Sequence, residues 1–84
     1  MWREKESPPR IEKRFEFKNY SKTSSFMKEL DYLCESKNIF PNISFGRQFV
    51  GITIFLEKEK ISKKEKDFSK KIDDIFTNID IDLS

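Results

Sequence analysis

Near the start of the chain, apolar and polar residues alternate in the way that predicts a β-strand with one buried face. In residues 10–17, every even-numbered position holds a glutamate or an arginine. The odd-numbered positions are apolar except for one lysine: Ile11, Lys13, Phe15 and Phe17. Residues 2–5 are extended enough to form a partner strand, with residues 6–9, which include two prolines, as the connection. The pattern therefore predicts two paired strands before residue 18.

Two later stretches have the apolar spacing of helices that bury one face. The first is predicted to begin at Ser21 as the N-cap and to end near Lys37, with this apolar stripe: Phe26, Leu30, Leu33 and Cys34. The second begins at Ser62, and Glu65 three residues later completes the sequence of a capping box. Its apolar face consists of Phe68, Ile72, Ile75 and Phe76.

A β-hairpin is predicted between these helices. Pro41 prevents the first helix from continuing, and residues 42–45 and 49–57 read as strands joined around Gly46, Arg47 and Gln48. Alternation within the second strand sends its apolar residues to both faces. One face carries Val50, Ile52, Ile54 and Leu56, and the other carries Phe49, Gly51, Thr53 and Phe55.

The order of these elements predicts an α+β fold. Strands interrupted by two helices, without regular β–α–β spacing, favour a four-stranded, largely antiparallel sheet with two main helices packed on one face. We expect one domain over residues 1–76 and a C-terminal tail over residues 77–84 that is flexible or bound by a partner. Residues 57–71 are dense in lysine and glutamate, and we expect them to form a solvated surface.

Composition and charge narrow the class of function. A chain of 84 residues with 36% hydrophobic residues should fold as a globule, but one this small favours extra burial by forming a homodimer. The net charge of +2 is too small to favour nucleic-acid binding. We expect a cytoplasmic protein without membrane contact. The chain has a single cysteine and no apolar leader, and its longest apolar run is far shorter than the roughly 20 residues of a membrane helix.

The chain offers few groups for metal or cofactor chemistry. It contains no histidine, and Cys34 has no second cysteine with which to form a metal site or a disulfide. No spaced carboxylate loop is present for calcium. Gly46 and Gly51 do not begin a phosphate-binding motif. We therefore predict no metal and no cofactor, and Cys34 is expected to be an inert residue of the buried helix stripe.

Residues 10–76 resemble the pterin-4a-carbinolamine dehydratases. The resemblance rests on residues 35–46, on the apolar run at 49–56 and on the helix start at 61–65, and the order strand, helix, proline-containing loop, hairpin and capped helix follows the family. It implies the dehydratase fold for this chain.

The family's proton-transferring residues are missing at the matching positions. Active members carry a His-His-Pro motif after the first long helix, and alignment on Pro41 places Ile39 and Phe40 in the histidine positions. A third family histidine falls on Glu57, and the family's acid falls on Glu65. Carbinolamine dehydration needs one proton delivered and another removed, which suits imidazole with its pKa of about 6.5. We therefore expect no catalytic residues and no enzyme activity.

A narrower resemblance is to the histidine-poor branch of this fold found beside α-carboxysome genes. It lies in Pro-Asn-Ile-Ser-Phe-Gly-Arg at 41–47 and in Arg-Phe-Glu-Phe at 14–17. Members of that branch act as Rubisco assembly factors. The resemblance implies a homodimeric, non-catalytic chaperone that binds Rubisco large subunits, in the cytoplasm and associated with the carboxysome. Because aromatic and arginine side chains are frequent hot spots, the expected partner-binding residues are Phe40, Asn42, Phe45, Arg47 and Phe49.

Two alternative functions remain open. A divergent pterin-4a-carbinolamine dehydratase would use Glu57 or Glu65 as its acid–base group. A coactivator-like adaptor would join a transcription factor through a helical surface, as some dehydratases do, but no residue indicates such a partner. For Phe49 and Phe55 individually, a homodimer interface or additional core packing is the competing interpretation.

Overall fold

A four-stranded antiparallel sheet and two helices make up residues 1–80, the part of the chain that the computed structural model describes. The order of strands across the sheet is β1, β2, β4, β3, so that β2 and β4 are central. This architecture confirms the predicted α+β class. In chain order the elements are β1 (Arg3–Lys5), β2 (Arg10–Glu16), α1 (Tyr20–Lys37), β3 (Asn42–Phe45), β4 (Phe49–Phe55) and α2 (Lys63–Asp80).

The central strands place the core on the face of the sheet that the helices cover. Antiparallel pairing sets Ile11 opposite Ile54 and Phe15 opposite Val50, and all four side chains are buried. The ring of Phe26 from α1 packs 5.1 Å from that of Phe15. Burial of each such side chain contributes about 2 kcal/mol to stability. The predicted parity of both strands is therefore confirmed, although β4 ends at Phe55, two residues earlier than predicted.

Helix α1 begins earlier than the sequence predicted. Asn19, rather than Ser21, is the N-cap, and its side chain accepts a hydrogen bond of 2.9 Å from the Lys22 N–H. Asparagine and serine cap helices about equally well, so the sequence could not separate the two. The predicted end at Lys37 is confirmed, because Asn38 adopts the left-handed conformation and the Ile39 N–H donates to the Cys34 carbonyl.

Helix α2 starts with the predicted capping box. The Ser62 N–H donates to Glu65 Oε1 at 2.9 Å, and the Glu65 N–H donates to Ser62 Oγ at 3.2 Å. The helix continues to Asp80, so residues 77–80 extend it beyond the domain boundary drawn after residue 76. The rest of the predicted tail, residues 81–84, lies outside the described residues.

Asp73 of α2 joins the helix to β2 and to the residue that precedes β1. Its carboxylate accepts hydrogen bonds from Trp2 Nε1 at 3.1 Å and from Lys13 Nζ at 2.7 Å. Lys13 lies on the buried parity of β2, and this ion pair explains how a lysine is accommodated there. The indole of Trp2 also contacts the edge of the Phe15 ring, with centroids 6.0 Å apart. Asp73 therefore holds the N-terminal segment against the core.

Asp73→Ala should lower the free energy of unfolding by about 1 kcal/mol, because it leaves Trp2 Nε1 and the Lys13 ammonium without their acceptor. Trp2 is the chain's single tryptophan, so its fluorescence should shift to the red as the indole becomes more solvated. Urea denaturation followed by this fluorescence measures both effects. The matched control is Asp74→Ala, since the neighbouring Asp74 is exposed. Equal stabilities for the two variants would contradict the role assigned to Asp73.

Candidate functional site

The side chains of Ile39 and Phe40, the two positions expected to match the family's paired histidines, point to different parts of the structure. The Ile39 side chain is partly buried and packs against the core at the end of α1. Phe40 is 69% exposed and lines a groove between α1 and β3 that Ile39 does not line. Neither side chain carries an ionisable group. These adjacent residues therefore form no shared site at which protons could be exchanged.

Glu65, at the family's acid position, is held by backbone donors. The residue is 6% exposed, and its carboxylate accepts hydrogen bonds from the N–H groups of Ser62 and Glu57, at 2.9 and 3.1 Å. Burial alone would raise the pKa of Glu65, but the hydrogen bonds from Ser62 and Glu57 outweigh it and lower the pKa from its usual range. Glu65 thus carries no proton to donate at neutral pH, and it links the end of β4 to the start of α2.

Glu57, at the position of the third family histidine, is exposed just after β4. Its backbone N–H contacts the Glu65 carboxylate, so the structure brings the segments of these two glutamates together. Ile39 lines a groove with the first turns of α2, whereas Phe40 faces away from it. The four family positions therefore do not converge on one pocket.

The five predicted partner-binding residues are divided between two faces of the sheet. Pairing of β3 with β4 sets Asn42 opposite Thr53 and Phe45 opposite Val50. Because residues that pair directly share a face and Val50 is in the core, Phe45 lies on the helix side. Asn42 lies on the open side, the face without helices, together with Phe49. What unites these side chains is the edge strand β3 and its hairpin.

Arg47 lies at the tip of that hairpin and is exposed. Its carbonyl accepts a hydrogen bond of 2.8 Å from the hydroxyl of Thr23, a buried residue of α1. The Gln48 side chain donates to the Lys18 carbonyl at 2.8 Å. These bonds fix the turn against the start of α1, so the Arg47 side chain projects from a positioned backbone.

Phe49 is more covered than the sequence indicated. The guanidinium carbon of Arg14 lies 4.0 Å from the centre of the Phe49 ring, and Arg14 Nε donates to Glu16 at 2.6 Å. A Cβ atom added to Gly46 would collide with the same ring, so a larger residue there would have to displace the Phe49 side chain. No role for Arg14 was predicted from the sequence. The contact between Arg14 and Phe49 follows from the alternation of side chains along β2 and β4, since both residues point to the open side of the sheet.

Among the grooves on the surface of residues 1–80, three lie beside residues singled out from the sequence. The first, of about 450 Å³, lies on the open side of the sheet beside Arg14 and Phe49. The second, of about 360 Å³, lies beside Phe40 and Cys34. Burial and the neighbouring Asp31 carboxylate raise the pKa of the Cys34 thiol, so the thiol stays protonated. The third, also about 360 Å³, lies beside Ile39 and is rimmed by four lysines, three of them in the stretch 57–71 that was predicted to be a solvated surface.

No group of three acidic or cysteine side chains within residues 1–80 is arranged as metal ligands. Within the same range, neither helix has the length and apolar character needed to cross a membrane.

Comparison with known proteins identifies similar sequences and structures. The family model described as pterin 4 alpha carbinolamine dehydratase matches residues 1–75. A pterin dehydratase-like protein, identified as a Rubisco assembly factor in the alpha-carboxysome, is 34% identical with a TM-score of 0.83, over 89% of this chain and 88% of that chain. No curated protein sequence matches.

A transcriptional coactivator/pterin dehydratase from Brucella melitensis is 19% identical with a TM-score of 0.78, over 88% of this chain and 80% of that chain. At this identity the likeness shows a shared fold alone.

Glu65→Gln should make the protein less stable at neutral pH by about 1 kcal/mol, because an amide cannot accept from both N–H groups as the carboxylate does. Since the folded pKa of Glu65 lies below its ordinary value of 4.5, the carboxylate stabilises the fold above that value. This stabilisation is lost as the pH falls through the folded pKa. The difference between the two proteins should therefore shrink below pH 4.5. Urea denaturation at a series of pH values measures it.

The control for this comparison is Glu59→Gln, a change of the same chemistry at an exposed loop position. It should leave stability unchanged at each pH. A wild-type advantage over Glu65→Gln that grows as the pH falls would be incompatible with the structural role of Glu65.

Proposed function

The chain belongs to the pterin 4 alpha carbinolamine dehydratase family, and from that premise we propose that it is a non-catalytic Rubisco assembly factor. It binds Rubisco large subunits and promotes their assembly for carbon fixation in the α-carboxysome. The observation that carries the proposal is a retained fold without its proton-transfer groups: Ile39 and Phe40 stand where the family has histidines, and Glu65 is a structural carboxylate. The 34% identity to a protein with this role supports it.

Binding alone accounts for such an activity. A protein that binds the unassembled subunit lowers the concentration of its free, aggregation-prone form by mass action. Subunit contacts then displace the assembly factor as the oligomer forms. No bond is made or broken, so the chain needs complementary surface rather than acid–base groups.

We place the contact surface along the edge strand β3 and its hairpin. Phe40 and Phe45 are 69% and 60% exposed on the helix side, and Arg47 projects from the fixed turn. Asn42 lies on the open side of the same edge, and Phe49 lies on the open side at the start of the neighbouring strand β4. A partner that covers the edge can contact both faces, and an aromatic anchor in its pocket would contribute about 2 kcal/mol or more.

We further propose that the protein acts as a homodimer in the cytoplasm, in association with the carboxysome. Exposed aromatic side chains on so small a domain support self-association, and Phe55 on the open side is 47% exposed. Sedimentation equilibrium tests the dimer, since a monomer mass at micromolar concentration would contradict it.

Phe40→Ala and Arg47→Ala should each weaken capture of the Rubisco large subunit by about tenfold or more, because each removes a hot-spot side chain from the proposed surface. The measurement is the amount of large subunit recovered with the tagged protein after co-expression. Tyr32→Ala is the matched control, because Tyr32 is 71% exposed on α1, comparable to Phe40, and lies outside the proposed surface.

If both variants fold as the wild type does and capture as much large subunit, the proposed contact surface is wrong. A wild-type protein that captures no large subunit and dehydrates a carbinolamine pterin, with turnover lost in Glu57→Gln, would instead favour the divergent enzyme.

A further inference from the structure

The third groove, here called the lysine groove, lies between the end of α1 and the first turns of α2. Its base includes the partly buried Ile39 and the ring of Phe68. Its remaining lining side chains are those of four lysines and one aspartate: Lys37, Lys63, Lys64, Asp67 and Lys71. The groove therefore combines a small apolar base with a strongly positive rim.

No rim lysine forms an ion pair of 4.0 Å or less with a carboxylate of residues 1–80. Within residues 1–80, the cations in such ion pairs are Lys5, Arg10, Lys13 and Arg14, all of them residues of β1 or β2. None of the four rim ammonium groups is among them. Four positive charges thus face a single carboxylate, Asp67, around a volume of about 360 Å³. Such an arrangement is electrostatically complementary to a negatively charged ligand.

Two of these lysines are also placed where they oppose helix formation. Lys63 and Lys64 occupy the first turn of α2, the end at which the helix dipole is positive. Glu65 in the same turn is committed to the cap through Ser62 and Glu57. An anionic ligand in the groove would relieve the repulsion between the lysines and the helix end.

The spread of charge indicates the kind of ligand. Lys63 and Lys71 are eight residues apart on α2, which corresponds to about 12 Å along the helix. This distance matches about four residues of an extended peptide and exceeds the size of one phosphate group. The apolar base provides room for one aliphatic side chain between the charged groups.

We propose that the lysine groove binds an acidic peptide segment of the partner protein, with carboxylates on the rim lysines and one apolar side chain against Ile39. With the Rubisco large subunit as the partner, this inference rests on the proposed function and supplies a second contact surface, separate from the β3 edge. Binding to the groove depends on charge and weakens with added salt, whereas binding to the β3 edge depends on aromatic burial.

The test is the double variant Lys63→Glu plus Lys64→Glu, compared with Lys66→Glu plus Lys70→Glu. The control lysines are exposed on the same helix and do not line the groove, so both variants change the net charge equally. A fluorescein-labelled Glu-Glu-Leu-Glu-Glu peptide, followed by anisotropy, should bind the groove variant about tenfold more weakly than wild type and the control within about twofold. Capture of the large subunit should fall in the same order.

Two further measurements keep the test decisive. The melting temperature of the groove variant should equal or exceed that of wild type, because acidic residues suit the first turn of a helix. Equal losses in both double variants, or no loss in the groove variant, would overturn the inference. Inorganic phosphate that competes as strongly as the peptide would also overturn it in favour of a small-anion site.

The outcome is separable from that of the assembly role. A wild-type protein that does not capture the large subunit contradicts the proposed function, while the peptide titration still decides the groove. Conversely, suppose that wild type and the groove variant capture the large subunit equally strongly and bind the peptide equally well. That result contradicts peptide binding by the groove and leaves the proposed assembly role intact.

Discussion

The pairing of β2 with β4 is the interaction on which the rest of the structure depends. It sets Ile11 against Ile54 and Phe15 against Val50, and so creates the apolar face that both helices cover. The same alternation sends Arg14 and Phe49 to the open side, where they stack. A shift of one residue in the pairing of β2 with β4 would turn the apolar side chains of one strand to the open side of the sheet. The burial of these side chains therefore determines the register.

The fold keeps the framework of a dehydratase while its polar positions serve structure. Glu65 accepts backbone N–H groups from Ser62 and Glu57, and thereby ties the helix start to the strand end. Ile39 donates its N–H to the Cys34 carbonyl and packs its side chain at the end of α1. The position expected from the resemblance to match a family histidine thus completes a helix end here. The contact surfaces that we propose lie at the β3 edge and around the lysine groove.

Local sequence patterns were sufficient for the architecture because each element carries its own signal. The parity of residues 10–17, the apolar spacing around Phe26 and the capping box at Ser62 each specify an element without reference to the others. The N-cap of α1 was misplaced because Asn19 and Ser21 are both good caps. The candidate site was less predictable. That Phe45 and Phe49 lie on opposite faces depends on the register of β3 with β4, and the lysine groove depends on how the end of α1 meets α2.

The measurement that tests the central claim most directly is the yield of assembled Rubisco in cells that express its subunits with and without this protein. If the protein is an assembly factor that acts by binding, co-expression should raise the amount of assembled enzyme in native gels. The protein should also be recovered with large subunits and not with the finished oligomer. An unchanged yield, with no large subunit recovered, would contradict the account.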